Sequence, residues 1–276
     1  MKTQEYELTT KDGLKLFAQA WKPENPAKAL AVIVHGLGEH SGRYKHVAEA
    51  FTKNGIYSFS YDQRGHGRSE GLKGHTPTYG NLMDDLGIAI DHAHRTAGEE
   101  LPIFLYGHSL GGLETVYFGL DNNSRVDGYI ATGLPLKLAS TTRSKAALAR
   151  ALNPILPKFV MASGLEVAAL SRDPEVVRAY VEDPLVHDRV SIRLGMFLLD
   201  GAERALAEAE SWQQPLLVMH GAEDRICIVD EAERFAEMVN GKATFKRWDG
   251  MYHEIHNEPG KEDVIRTMAD WILARC

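Results

Sequence analysis

Cysteine is almost absent: Cys227 and Cys276 are the only two in 276 residues. Two thiols cannot build a disulfide framework, and no Cys-x-x-Cys spacing exists for zinc or dithiol redox chemistry. Long apolar runs are missing too, since none approaches the ~18 residues of a membrane-spanning helix. The stretch from Met1 to Glu7 has no basic segment leading into an apolar core, so no secretory signal is read there. The expectation is a soluble, cytoplasmic chain. Positive charge is also scarce. The net charge is −7 with no basic block, which argues against nucleic acid as a partner and gives little footing for an anionic bilayer. A hydrophobic share of 44% and a charged share of 25% exclude a disordered chain and leave an ordinary globular one, long enough for one large α/β domain with an insertion.

Tyr6 to Thr10 and Leu14 to Trp21 flank the turn Lys11, Asp12, Gly13, which predicts an N-terminal β-hairpin. Short β-rich runs follow at Leu30 to Val34, Tyr57 to Tyr61, Ile103 to Tyr106, Gly128 to Thr132, Leu216 to Met219 and Thr244 to Trp248. Helical patterns at Tyr44 to Lys53, Tyr79 to Arg95, Leu113 to Leu120, Asp230 to Val239 and Glu262 to Ala274 fall between or after them. The alternation predicts an α/β fold with a mostly parallel sheet flanked by helices. After Thr78, the residues Tyr79, Leu82, Met83, Leu86, Ala89, Ile90 and Ala93 form one apolar face, with Asp84, Asp85 and Asp91 expected to stay wet. The strand rhythm stops between Gly133 and about Ser211. That stretch is rich in Ala and Leu, contains Pro154 and Pro157, and predicts a mainly helical cap over residues 134–210 inserted between core segments 1–133 and 211–276.

Ser109 sits at the centre of Gly107, His108, Ser109, Leu110, Gly111, directly after an apolar strand and before a helical stretch. Small residues at those positions allow a strained strand-to-helix turn that lifts a serine hydroxyl above the sheet edge. A serine hydroxyl is almost un-ionised at neutral pH, so it needs an imidazole as base and a carboxylate to set that imidazole's tautomer. The run Leu216 to Met219 leads into His220, Gly221, Ala222, Glu223, Asp224. Asp224 is preferred as the acid because its longer offset past the strand suits a loop reaching toward a histidine; Glu223 is the runner-up and Asp249 a weaker rival. His253, in the loop after the last strand, is the candidate base. Only its neutral form accepts a proton, so activity is expected to rise with pH near ~6.5 to 7. Leu110 N–H, next to the nucleophile, and Leu37 N–H, in the glycine-rich loop after Val34, are the candidate oxyanion donors.

Other patterns fail on spacing. Gly36, Gly38, Gly42 and Gly65, Gly67, Gly71 each place the third glycine one residue too late for a dinucleotide loop, so no cofactor is expected. His253, Glu254 and His256 resemble a zinc helix, but Asn257 stands where the second histidine would be needed, so no metal is expected either. The turn Asp62 to Ser69 reads as structural, pinned by Asp62 and Arg64. Cys227, three residues after Asp224, reads as a packing residue close to the site.

Taken together these residues resemble the α/β-hydrolase superfamily, in which the chain order is serine, acid, histidine. Finer similarities point to the monoacylglycerol lipase and lysophospholipase branch. They are His35 to Tyr44, the Asp62 to Ser69 turn, the Gly107 to Gly112 elbow, Tyr252 to Glu258, and, within the cap, Ser171 to Pro174 with Tyr180 and Asp183 to Leu185. The resemblance covers most of the chain. It implies an α/β-hydrolase fold, an acyl-enzyme mechanism and a single-chain lipid ester substrate such as a monoacylglycerol, with the cap over the acyl chain; whether the cap also makes transient contact with lipid aggregates is not set by the sequence. It also implies that Glu39, Arg43, Tyr180 and His256 meet the polar alcohol end of the substrate. Glu39 and Arg43, four residues apart, could equally pair with each other at a helix start. A lysophospholipase or broad carboxylesterase with the same triad is the alternative. A hydrolase-fold binding protein without turnover fits less well, because Ser109, Asp224 and His253 are all present.

Overall fold

The computed structural model describes residues 2–122 and 125–276. Ten strands run through them: β1 (Lys2–Thr9), β2 (Lys15–Lys22), β3 (Ala29–Val34), β4 (Ile56–Tyr61), β5 (Ile103–His108), β6 (Gly128–Thr132), β7 (Val160–Ala162), β8 (Arg189–Ser191), β9 (Leu216–Gly221) and β10 (Ala243–Trp248). The helices are α1 (Lys45–Lys53), α2 (Tyr79–Ala97), α3 (Leu110–Asn122), α4 (Arg143–Leu152), α5 (Pro174–Glu182), α6 (Ile192–Glu208), α7 (Val229–Met238) and α8 (Lys261–Leu273). Eight strands form one sheet in the order β1-β2-β4-β3-β5-β6-β9-β10. β1 and β2 pair antiparallel, as does β2 with β4, and the remaining pairs are parallel.

The central strands are buried on both faces, which is why they read as continuous apolar runs rather than alternating ones. Along β3, Leu30, Val32 and Val34 pack with Leu86 of α2 and Leu113 of α3, while Ala29, Ala31 and Ile33 pack on the other face with Phe51 of α1 and Met268 of α8. Thr78 caps α2 by accepting the Asn81 N–H at 3.2 Å. One residue of that helix departs from expectation. Asp85 is buried, because Arg64 from the turn after β4 reaches it at 2.6 Å and so takes the place of water.

Between β6 and β9 the chain leaves the sheet. Its main regular elements are α4, α5 and α6, together with a two-stranded antiparallel pair, β7 with β8, that the composition did not reveal. The stretch is tied to the core at the sheet edge by backbone hydrogen bonds. His187 N–H donates to Gly38 O at 2.8 Å, Ser191 N–H to Gly74 O at 2.8 Å, and Glu254 N–H to Leu170 O at 2.8 Å. Among the described residues no helix is long and apolar enough to cross a membrane.

Candidate active site

β5 delivers Ser109 to the sheet edge, where its φ of 51° lies in the left-handed region that a non-glycine residue adopts only under strain. The strain is held in place by Ser109 N–H donating to Thr132 O at 2.9 Å and by Ser109 O accepting from Leu113 N–H at 3.0 Å. Glycines flank it for a steric reason. A Cβ on Gly111 would stand 2.2 Å from Val34 O, and one on Gly107 would stand 2.1 Å from Gly111 O, so β3 and the first turn of α3 pack as backbone against backbone. α3 starts at Leu110, earlier than the apolar spacing implied, and its first N–H groups have no intrahelical partner.

The loop after β9 brings in Asp224, and the loop after β10 brings in His253. His253 Nδ1 donates to Asp224 Oδ2 at 2.7 Å, with both side chains buried. That bond leaves the imidazole lone pair on Nε2. His253 and Ser109 line one pocket of about 40 Å³ with Gly36, Leu37, Glu39, His108, Leu165, Leu170, Tyr180 and Glu254. Glu223 and Asp249, the other carboxylates weighed for the acid, are exposed. Asp224 Oδ1 accepts from Ile226 N–H at 2.8 Å and Cys227 N–H at 3.0 Å, while Oδ2 accepts a second imidazole, His220 Nε2, at 2.8 Å. Burial opposes ionisation of Asp224, but the facing His253 and the imidazole hydrogen bonds outweigh it and hold the acid well below the usual carboxylate range. Burial also opposes a charged His253, and here Asp224 prevails, holding the imidazole well above its ordinary 6.5. The expected rise of activity with pH therefore moves up from that of a free imidazole. Burial pushes the Cys227 thiol up, so it stays protonated beside the pair.

The glycine-rich loop is shaped by a carboxylate. Glu39, itself buried, accepts Gly36 N–H at 2.6 Å and Tyr44 Oη–H at 2.7 Å on the same oxygen. Gly36 N–H is thereby consumed, and Leu37, whose N–H is the expected oxyanion donor, follows it along the pocket wall. Arg43 pairs with Glu39 and, through both terminal nitrogens at 2.7 Å, with Glu254. The Glu39 and Arg43 pairing weighed from their spacing is present, with Glu254 as a third member that the sequence did not flag. Glu39 and Tyr180 reach the pocket, and Arg43 lies behind them with its guanidinium 4.8 Å from the Tyr180 ring centroid. His256 does not reach it. It is fully buried, stacked on Tyr44 at 4.8 Å and edge-on to His108 at 4.7 Å between ring centroids, so a direct role toward a substrate alcohol is withdrawn. His220 is the other residue missed, since a histidine ending an apolar strand carries no spacing signal.

The remaining motif residues fasten the site. Asp62 accepts Ser41 N–H and Oγ–H on one oxygen and Arg68 N–H on the other, which is the structural role read for that turn. Asp183 meets His40 Nε2 at 2.9 Å, and Arg172 pairs with the buried Glu258.

Residues 25–260 match the family described as serine aminopeptidase, S33. Over 269 residues the chain is 30% identical to the monoacylglycerol lipase of Mycolicibacterium smegmatis, covering 95% of this chain and 94% of the relative. It is 34% identical over 253 residues to phospholipase YtpA of Bacillus subtilis, covering 90% and 95%. It also matches an uncharacterized abhydrolase domain-containing protein of Dictyostelium discoideum at 33% identity, covering 97% of this chain but spanning only 29% of that relative. The crystal structure of Paleococcus ferrophilus monoacylglycerol lipase aligns with a TM-score of 0.85 at 33% identity, covering 100% of each chain. Matched over most of its length in sequence and in fold, the chain belongs to the serine aminopeptidase S33 family of α/β-hydrolases.

Proposed function

We propose that this protein is a serine ester hydrolase that cleaves monoacylglycerols to fatty acid and glycerol. The observation that carries the proposal is the pocket where the strained Ser109 stands beside an imidazole whose Nδ1 is held 2.7 Å from Asp224. Ser109 Oγ attacks the ester carbonyl while His253 Nε2 takes its proton. Leu37 and Leu110 N–H groups hold the oxyanion, each such donor being worth ~10² to 10³ in rate. His253 then protonates the departing glycerol oxygen, and water activated by the same nitrogen attacks the acyl-enzyme and frees the fatty acid.

The pocket walls support a neutral polyol as leaving group. Glu39, Glu254 and Tyr180 line it, Arg43 is engaged by both glutamates, and no lysine or arginine is among the lining residues. A phosphate would meet carboxylates there. The likeness to a phospholipase favours lysophospholipid hydrolysis as the second reading. At about 40 Å³ the pocket is too small for an acyl chain, whereas an apolar groove of about 390 Å³ runs between α4 and α6, lined by Leu148, Leu152, Met161, Ile192 and Leu198. Ser163 lines the groove and Leu165, two residues on, the pocket, and the acyl chain is assigned a route from the pocket to the groove past them. Each methylene buried along that route contributes about 0.8 kcal/mol. The same cap face is assigned to contact with lipid aggregates, through Leu148, Ile155 and Phe159, which are 60%, 74% and 56% exposed.

Fatty-acid release from monooleoylglycerol, dioleoylglycerol, trioleoylglycerol and lysophosphatidylcholine by wild type and Ser109→Ala tests the proposal. Preference for monooleoylglycerol, lost in the variant, is the expected result. Preference for the lysophospholipid would replace the glycerol assignment with the second reading, and undiminished activity in Ser109→Ala would overturn both.

A further inference from the structure

His220 stands second to last in β9, fully buried, with Nε2 2.8 Å from the Asp224 oxygen that His253 Nδ1 approaches at 2.7 Å. An ionised carboxylate only accepts, so both imidazoles donate, and His220 carries its hydrogen on Nε2. Its Nδ1 is buried with no partner among the described residues. The ring is therefore fixed by one polar contact, and that contact is with the acid of the proposed triad. Oδ1 is already taken by two backbone N–H groups of the loop after β9. With His220 on Oδ2, the carboxyl plane is held from both ends and cannot turn away from His253.

We propose that His220 is a positioning residue for the triad, donating to Asp224 so that the shared oxygen faces His253 while part of its charge is spent on a second imidazole. This rests on the triad reading of the preceding section. His220 differs from the groups that surround His253 itself. Those are Asp224 and Cys227 from the loop after β9, the His108 ring of β5 at 4.7 Å between centroids, and Glu254 and His256 from its own loop. Among the described residues, His220 is the side chain besides His253 that donates a hydrogen bond to Asp224. Without the His220 donor, more of the charge on Oδ2 is available to stabilise the imidazolium form of His253. Protonated His253 cannot act as base, so the rising limb of activity moves to higher pH. The loosened carboxylate also slows the chemical step.

The test is kcat/KM against pH on a soluble short-chain p-nitrophenyl ester for wild type, His220→Gln, His220→Asn, His220→Leu and Ser109→Ala. Glutamine places an amide N–H2 as many bonds from Cα as the imidazole Nε2, asparagine falls one bond short, and leucine has no donor. Wild type is expected to rise through a midpoint above 6.5. His220→Leu and His220→Asn are expected to lose about tenfold in kcat with little change in KM, the order that one hydrogen bond to a charged group supports. Their limb should move up by about half to one pH unit. His220→Gln should stay within about threefold of wild type with its limb in place. If the leucine variant fails to fold, the asparagine variant carries the same expectation. A limb that stays put or moves down in the donor-lacking variants, or an equal loss in the glutamine variant, overturns the proposal. Wild-type activity in Ser109→Ala would instead overturn the triad reading, whatever the His220 variants do.

Discussion

At the scale of single residues, buried acids behave in opposite ways in this molecule. Glu254 is surrounded by donors: burial opposes its charge, but Arg43 and Asn257 prevail and lower its pKa below the usual carboxylate value. Glu114 of α3, five residues after Ser109, has neither oxygen hydrogen-bonded among the described residues, and burial, with Asp85 nearby, pushes it well above 4.5. The unfolded chain releases that proton near 4.5, so the folded state binds more protons above that pH and stability falls as pH rises. Glu114→Gln keeps the shape and removes the titration. It is expected to raise stability at pH 8 by about 1–3 kcal/mol and to change it little at pH 4. Urea unfolding at the two pH values checks this; equal stability of variant and wild type at pH 8 contradicts it. Ser109 was legible because its motif sits between strand and helix. His220 and Glu254 were not, since what defines them is a partner 4 and 211 residues away in sequence.

At the scale of elements, strands of five to eight residues read clearly, whether buried on both faces as β3 and β5 or partly exposed as β10, while β7 and β8 have three residues each, too few for any period to show. Asp85 defeated the amphipathic reading of α2 because a tertiary ion pair with Arg64 overrode the solvent-facing pattern. The contact between the loop after β3 and the stretch before β8 was equally hidden. Gly38 has a φ of 79°, and a Cβ there would lie 2.3 Å from His187 O, so at this point the two segments meet backbone to backbone. Gly38→Ala should push them apart and displace the Leu37 N–H, lowering kcat by ~10², the order of one oxyanion donor. The fold should survive, with the loss confined to the loop. Steady-state kinetics beside a thermal melt decide the point. Wild-type kcat would remove Leu37 from the oxyanion assignment.

At the scale of the whole molecule, the net charge of −7 hides a segregation. From Leu134 to Leu165 the chain holds Lys137, Arg143, Lys145, Arg150 and Lys158 and no carboxylate, and this is the stretch that exposes Leu148, Ile155 and Phe159. Cations beside exposed apolar side chains fit a lipid surface. Vesicle co-sedimentation is expected to show binding to phosphatidylglycerol-containing vesicles that falls with salt and drops severalfold in Ile155→Ser/Phe159→Ser. Unchanged binding in that double variant would remove the cap from the assignment. Turnover depends on Ser109 being an activated nucleophile, because fold, elbow and pocket are compatible with a protein that only binds. Reaction with a fluorophosphonate, followed by peptide mass spectrometry, measures this directly. The expected result is a stoichiometric adduct on Ser109 that is abolished in Ser109→Ala and strongly slowed in His253→Ala. A folded wild-type protein that takes up no label, or that carries it on another residue, would contradict it.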